Sequence, residues 1–138
     1  MNRETTAGQR QVFVSYSRRD VSIVDPLVRE IEKLGYLVLI DRNFVGTQRY
    51  AAPIVSGIRA SEVVAVMCSE NSFNSDHVIR EIYIAGDYRK PFVAFQLDAT
   101  DFPDEVIYFL TGFPRIPVAN ADPARIRTEI TRLVSAHR

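Results

Sequence analysis

Short, continuous apolar runs alternate along this chain with longer stretches in which apolar residues return every three or four positions. The runs QVFVSYS (11–17), YLVLID (36–41), EVVAVMCS (62–69) and PFVAFQLD (91–98) are rich in β-branched and aromatic residues and predict buried strands. FPRIPV (113–118) predicts a fifth strand, placed at a sheet edge because proline cannot donate to a ladder. Between the runs lie helical patterns. The first starts at Asp20, or at Asp25 with Pro26 in its first turn, carries Leu27, Val28, Ile31 and Leu34 inward, and stops at Gly35. A short helix follows around Ile54 and Ile58, with Pro53 near its start. Another begins at about Ser75, a helical turn covers DEVIYFL (104–110), and a last helix takes Asp122 as cap and Pro123 as first residue. Residues 41–50 read as a loop, and no element is assigned to residues 70–74.

Strand and helix in strict alternation predict a parallel sheet with helices on both faces. The expected class is α/β, a flavodoxin-like three-layer sandwich with five parallel strands in the order 2-1-3-4-5. Residues 1–10 read as a flexible N-terminal segment and 11–138 as one domain. In this architecture ligands bind at the carboxyl ends of the strands, near the switch between strands 1 and 3. The segments to inspect are therefore SYSRRD (15–20), LIDRN (39–43), CSENSFNS (68–75) and the start of the helix after strand 3.

That helix, SDHVIREIYIAGDY (75–88), contains an anomaly. Val78, Ile79, Ile82, Ala85 and Gly86 gather on one core-facing stripe, and the carboxylate of Glu81 falls on its border. His77, one turn earlier, lies on the same border. Ile84 points away from the stripe, which makes the outer face of the helix a candidate contact. An acid and an imidazole at the edge of a core form either a surface pair or the wall of a pocket.

Composition narrows the chemistry. The chain has 138 residues, 46% of them hydrophobic, enough for one domain with a substantial core. Seventeen basic residues balance seventeen acidic ones, which argues against a nucleic-acid binder that neutralises phosphates. One cysteine, Cys68, and two widely separated histidines exclude a disulfide framework and a recognisable zinc spacing. Tyr16 and Cys68 read as packing residues. MNRETTAGQR lacks the apolar segment of a signal peptide and no run approaches a membrane span, so a cytoplasmic protein without membrane contact is expected. SYSRRD has no glycine for a dinucleotide turn or a P-loop, and strand 3 ends in Cys68-Ser69 rather than the phospho-acceptor aspartate of a receiver domain.

VFVSYSRRD (12–20), the LID ending strand 2, the loop with Gly46, SEVVAVMCSENSFNSDHVIREI (61–82) and KPFVAFQLD (90–98) together resemble the Toll/interleukin-1 receptor (TIR) domain in its bacterial form. The resemblance covers nearly the whole chain from Gln11 onward. It implies the flavodoxin-like fold already argued. It also implies that Ser75, His77 and Glu81 occupy the positions of a serine, a tryptophan and a glutamate that is catalytic in family members that cleave NAD. Here the tryptophan is replaced by His77, and the chain has no Trp. An imidazole gives less stacking area but still hydrogen-bonds.

On this resemblance the expected activity is an NAD+ nucleosidase or ADP-ribosyl cyclase in antiphage defence signalling. Glu81 is catalytic, NAD+ is substrate rather than cofactor, and no metal is required. Ser17, Arg18, Arg19, Asp41, Phe44, Ser69 and His77 are the candidate substrate contacts. For Arg18 and Arg19 the alternative is a solvated loop charge, for Asp41 a loop cap, for Ser69 a turn cap, and for Phe44 a hydrophobic plug. Implied partners are other TIR domains and a sensor domain or downstream effector. A non-catalytic TIR scaffold, acting by domain association with Glu81 merely structural, is the alternative.

Overall fold

The apolar runs form β1 (Gln11–Ser15), β2 (Leu37–Ile40), β3 (Val63–Cys68), β4 (Phe92–Gln96) and β5 (Arg115–Pro117) in a computed structural model that describes residues 10–40 and 51–136. All the pairings are parallel and the order is β2-β1-β3-β4-β5, as expected. Six α-helices accompany them among the described residues: α1 (Val21–Lys33), α2 (Ala51–Ala60), α3 (Glu70–Phe73), α4 (Asp76–Asp87), α5 (Asp104–Leu110) and α6 (Pro123–Ala136).

Period-two alternation sorts the central strands onto two cores. Val12, Val14 and Tyr16, with Val63, Ala65 and Met67, pack against α1 and α6. Phe13, Val64, Val66 and Cys68 face the opposite way, against α2, α4 and α5. Both faces are covered, which is why β3 reads as an unbroken apolar run. Gly35 takes a φ of 97° just beyond α1, a conformation that costs glycine little, and ends that helix as expected. The Asp122 carboxylate accepts from the Arg125 N–H at 2.8 Å, confirming the cap on α6.

Three local expectations change. Of the two expected starts of α1 the one at Asp20 holds, and the one at Asp25 with Pro26 in the first turn does not: the helix starts at Val21 directly after a 3-10 turn over Arg18–Asp20, and Pro26 lies inside it. The N–H that Pro26 lacks would have bonded to the carbonyl of Ser22, an exposed residue at the start of the helix. The stretch after β3, to which the sequence assigns no element, is not all loop: Ser69 accepts from the Ser72 N–H at 3.0 Å and caps the short helix α3. Third, α4 contacts α2, α3 and α5 as well as the sheet, so its buried stripe is wider than one sheet contact would make it. Glu81 is therefore inside the stripe, 4% exposed, not on its border. Ile84 is half-buried and packs on the same core instead of pointing outward. Asp41, Phe44 and Gly46 lie outside the described residues.

Candidate active site

The loops after β1 and β3 meet at the carboxyl edge of the sheet, on either side of the strand-order switch. Asp20, buried at the end of the first loop, joins them. It accepts from the Ser69 hydroxyl at 2.6 Å and from the Asn71 side-chain amide at 2.8 Å. A buried carboxylate is costly without such donors, and two donors from the other loop turn that cost into a cross-link. Ser72 extends the network inward, its hydroxyl donating to the Met67 carbonyl.

A cleft of about 510 Å³ lies over this junction, lined by Ser17, Arg18 and Arg19 from one loop and Asn71, Asn74 and Ser75 from the other. Ser17 is nearly buried and accepts from the Arg19 N–H at 3.3 Å. Arg18 and Arg19 are exposed, with no ion-pair partner among the described residues. Ser75 caps α4 by accepting from the Val78 N–H, so the positive end of that helix dipole borders the cleft. The cleft gathers cationic groups and hydrogen-bond donors, a set suited to an anion such as a phosphate.

Glu81 lies on α4 about a turn and a half beyond Ser75. The Ser15 hydroxyl, at the last residue of β1, donates to its Oε1 at 2.6 Å. That length is typical of a hydroxyl bound to a carboxylate, which is stronger than a neutral hydrogen bond. Ser15 was not among the expected site residues. A signal was available: in VFVSYS (12–17), Ser15 shares the face of Phe13, which packs toward α4, whereas Val14 and Tyr16 face α1 and α6.

The expected residues thus separate. Ser17, Arg18 and Arg19 come together on the cleft. Ser69 does not face it: its hydroxyl is used by Asp20 and by the cap of α3. His77 is exposed, whereas Glu81 one turn on is buried, so the two do not share a common border. Asp41 and Phe44 fall in residues 41–50, outside the described residues. Tyr16 and Cys68 are buried packing residues, as read from the sequence. Burial pushes the Cys68 thiol up to about 12, with Arg115 opposing and Asp98 adding. For Asp98 partial desolvation raises the carboxyl pKa, but the N–H groups of Glu70 and Thr100 outweigh it and hold the group below its ordinary value.

Among solved structures, the TIR domain of the Toll-related receptor TRR-2 from Hydra magnipapillata superposes with a TM-score of 0.71. It is 16% identical, over 90% of this chain and 97% of that one. A 2-deoxyribosyltransferase from Bacillus psychrosaccharolyticus reaches 0.70 at 11% identity, over 89% and 95% of the two chains. A CMP N-glycosidase from Clostridium botulinum reaches 0.62 at 12% identity, over 89% and 99%. These likenesses establish the fold. No curated protein matches the chain in sequence. The family model for the TIR domain matches residues 12–128, from the second residue of β1 well into α6. With that one model spanning the whole sheet and both loops of the cleft, the chain belongs to the TIR domain family.

Proposed function

We propose that this TIR domain cleaves the bond between nicotinamide and ribose in NAD+, in bacterial antiphage defence signalling. The observation that carries the reading is the Glu81 carboxylate, buried and held by Ser15 at the carboxyl end of the sheet beside the β1/β3 switch point. The cationic side chains of the cleft, Arg18 and Arg19, suit the diphosphate. His77, Asp41 and Phe44 belong to the same proposal as contacts to the rest of the dinucleotide, and Ser69 acts only through Asp20.

One carboxylate suffices for this chemistry. The leaving nitrogen already carries positive charge, so the C1′–N bond breaks with its electron pair passing to the ring and nicotinamide departs neutral. No general acid is needed, unlike in ordinary glycoside hydrolysis. The ribose is left as an oxocarbenium-like cation, which a nearby carboxylate stabilises electrostatically. At about 4 Å and an effective dielectric of ~20 the attraction is about 4 kcal/mol, roughly a thousandfold in rate. Water then adds at C1′ and loses its proton, giving ADP-ribose. Attack by a nucleophilic atom of the same molecule gives a cyclic isomer instead.

The absence of the family's tryptophan, with an exposed His77 in its place, favours a second reading: a scaffold that acts by TIR association. Incubation of the purified domain with NAD+, following free nicotinamide, separates the two. Release that Glu81→Gln lowers about a thousandfold, with an unchanged melting temperature, supports the enzyme. Equal release by parent and variant removes Glu81 from the chemistry, and no release from either over a wide range of protein concentrations leaves the scaffold.

A further inference from the structure

A second hollow, of about 380 Å³, lies between α4 and α5, along the half of α4 remote from Ser75 and the cleft. Its walls are Tyr83 and Asp87, one turn apart on α4, and Glu105, Tyr108 and Phe109 at one-turn spacing on α5. The rings are organised. Phe109 stands 5.3 Å from Tyr83 and 5.1 Å from Tyr108, the latter edge-on at 90°. It also rests on Gly86, where a Cβ would come within 2.3 Å of the ring. Tyr108 is 79% exposed, far beyond any other large apolar or aromatic residue described. Neither Asp87 nor Glu105 has an ion-pair partner among the described residues.

Every lining residue of this groove attracts positive charge. The ring faces do so through their quadrupoles and the two acids through their carboxylates. A symmetric contact with a second copy through the same face would set acid against acid. The pairing of an arginine with a ring is found elsewhere in this chain, at residues close in sequence to those of the groove. Arg59 lies over the Tyr88 ring at 5.1 Å, just beyond Asp87, and Arg115 lies over Phe102 at 4.1 Å, just before α5. The groove's own rings carry no such cation among the described residues.

We propose that the α4–α5 groove is a docking site for an arginine side chain presented by a partner polypeptide of a different sequence. A guanidinium fits better than an ammonium: it is planar, stacks on rings, sheds water more readily and bonds a carboxylate through two N–H groups. The partner segment is accordingly basic, and its docking does not require the cleft to be active.

The test is NMR titration of the full chain with a blocked Gly-Arg-Gly tripeptide, against the same peptide carrying lysine or norleucine. The arginine peptide should shift the ring resonances of Tyr83, Tyr108 and Phe109 saturably, with lysine weaker and norleucine silent. Tyr108→Ala, and the pair Asp87→Asn with Glu105→Gln, should each weaken binding about tenfold or more. Nicotinamide release should be unchanged in these variants. Three outcomes overturn the proposal: norleucine binding as well as arginine; no saturable shift at millimolar peptide; or ring shifts that appear on concentrating the protein alone, which assign the groove to a second copy.

Discussion

Replacing Ser15 by alanine removes one hydroxyl, and with it a donor to the buried Glu81 carboxylate at 2.6 Å. Little packing is lost, so the effect is almost entirely that of the hydrogen bond. A bond to a charged group contributes about 1.5–3 kcal/mol, and the carboxylate left behind is too deeply buried for water to replace the donor in full. The expected loss is about 2 kcal/mol, or about 6 °C in melting temperature for a domain of this size. Urea denaturation at neutral pH, followed by tryptophan-independent far-UV ellipticity, measures it, with the slope unchanged from the parent. Glu81→Gln supplies the control. An amide oxygen still accepts from Ser15 but without charge, so Ser15→Ala should cost only about 1 kcal/mol in that background. The difference is the coupling energy of the pair. A Ser15→Ala protein within about 0.5 kcal/mol of the parent would refute the reasoning. So would an equal cost in the two backgrounds, because the hydroxyl would then not be acting on the charge.

Four further outcomes follow from other contacts. Asp20→Ala removes the acceptor of the Asn71 amide and leaves the Ser69 hydroxyl only its longer bond to Ser72, and should cost about 3 kcal/mol in urea denaturation, with Asp20→Asn costing less. Gly86→Ala should destabilise by about 1–3 kcal/mol despite the better helix propensity of alanine, since the Cβ collides with the Phe109 ring; a stabilised variant would show that the ring yields freely. Cys68, with its thiol pushed up to about 12 and its side chain buried, should resist a thiol-specific reagent at pH 8 in the native protein and react fully in urea. Asp98, held below its ordinary carboxyl value in the folded state, contributes stability above the unfolded value that is lost as pH falls through the folded one; the deficit of Asp98→Asn at pH 7 should therefore shrink below about pH 4 in an acid titration of stability.

The strands and their order were legible because parallel strands buried on both faces leave unbroken apolar runs, and proline marks an edge. Single-helix periodicity served less well for α4. A hydrophobic stripe reports contact with one surface, whereas this helix has the sheet beneath it and helices beside it, so a residue at the margin of the stripe, Glu81, is enclosed. The same enclosure took Ile84 inward. The helix over Glu70–Phe73 was hidden because its one apolar residue sets no period and Ser69, its cap, reads equally well as a turn residue. Ser15 was overlooked for a related reason: a serine at the end of a strand reads as the start of a loop, although alternation from Phe13 already aimed it at α4. On the cleft, Ser17, Arg18 and Arg19 were found from topology alone, since the switch-point rule concerns strand ends rather than any residue type.

One of the two outer strands of the sheet, β5, bears on how copies of this domain can add to one another. β5 is three residues long, opens with an exposed arginine and closes with a proline that has no N–H to offer. An incoming strand would find few free donors in register there, and a fixed charge beside them. Growth of the sheet from molecule to molecule is blocked on that side by backbone chemistry. Any contact made on that side of the domain is thereby directed onto side-chain surfaces, where single substitutions can tune or abolish it without touching the fold.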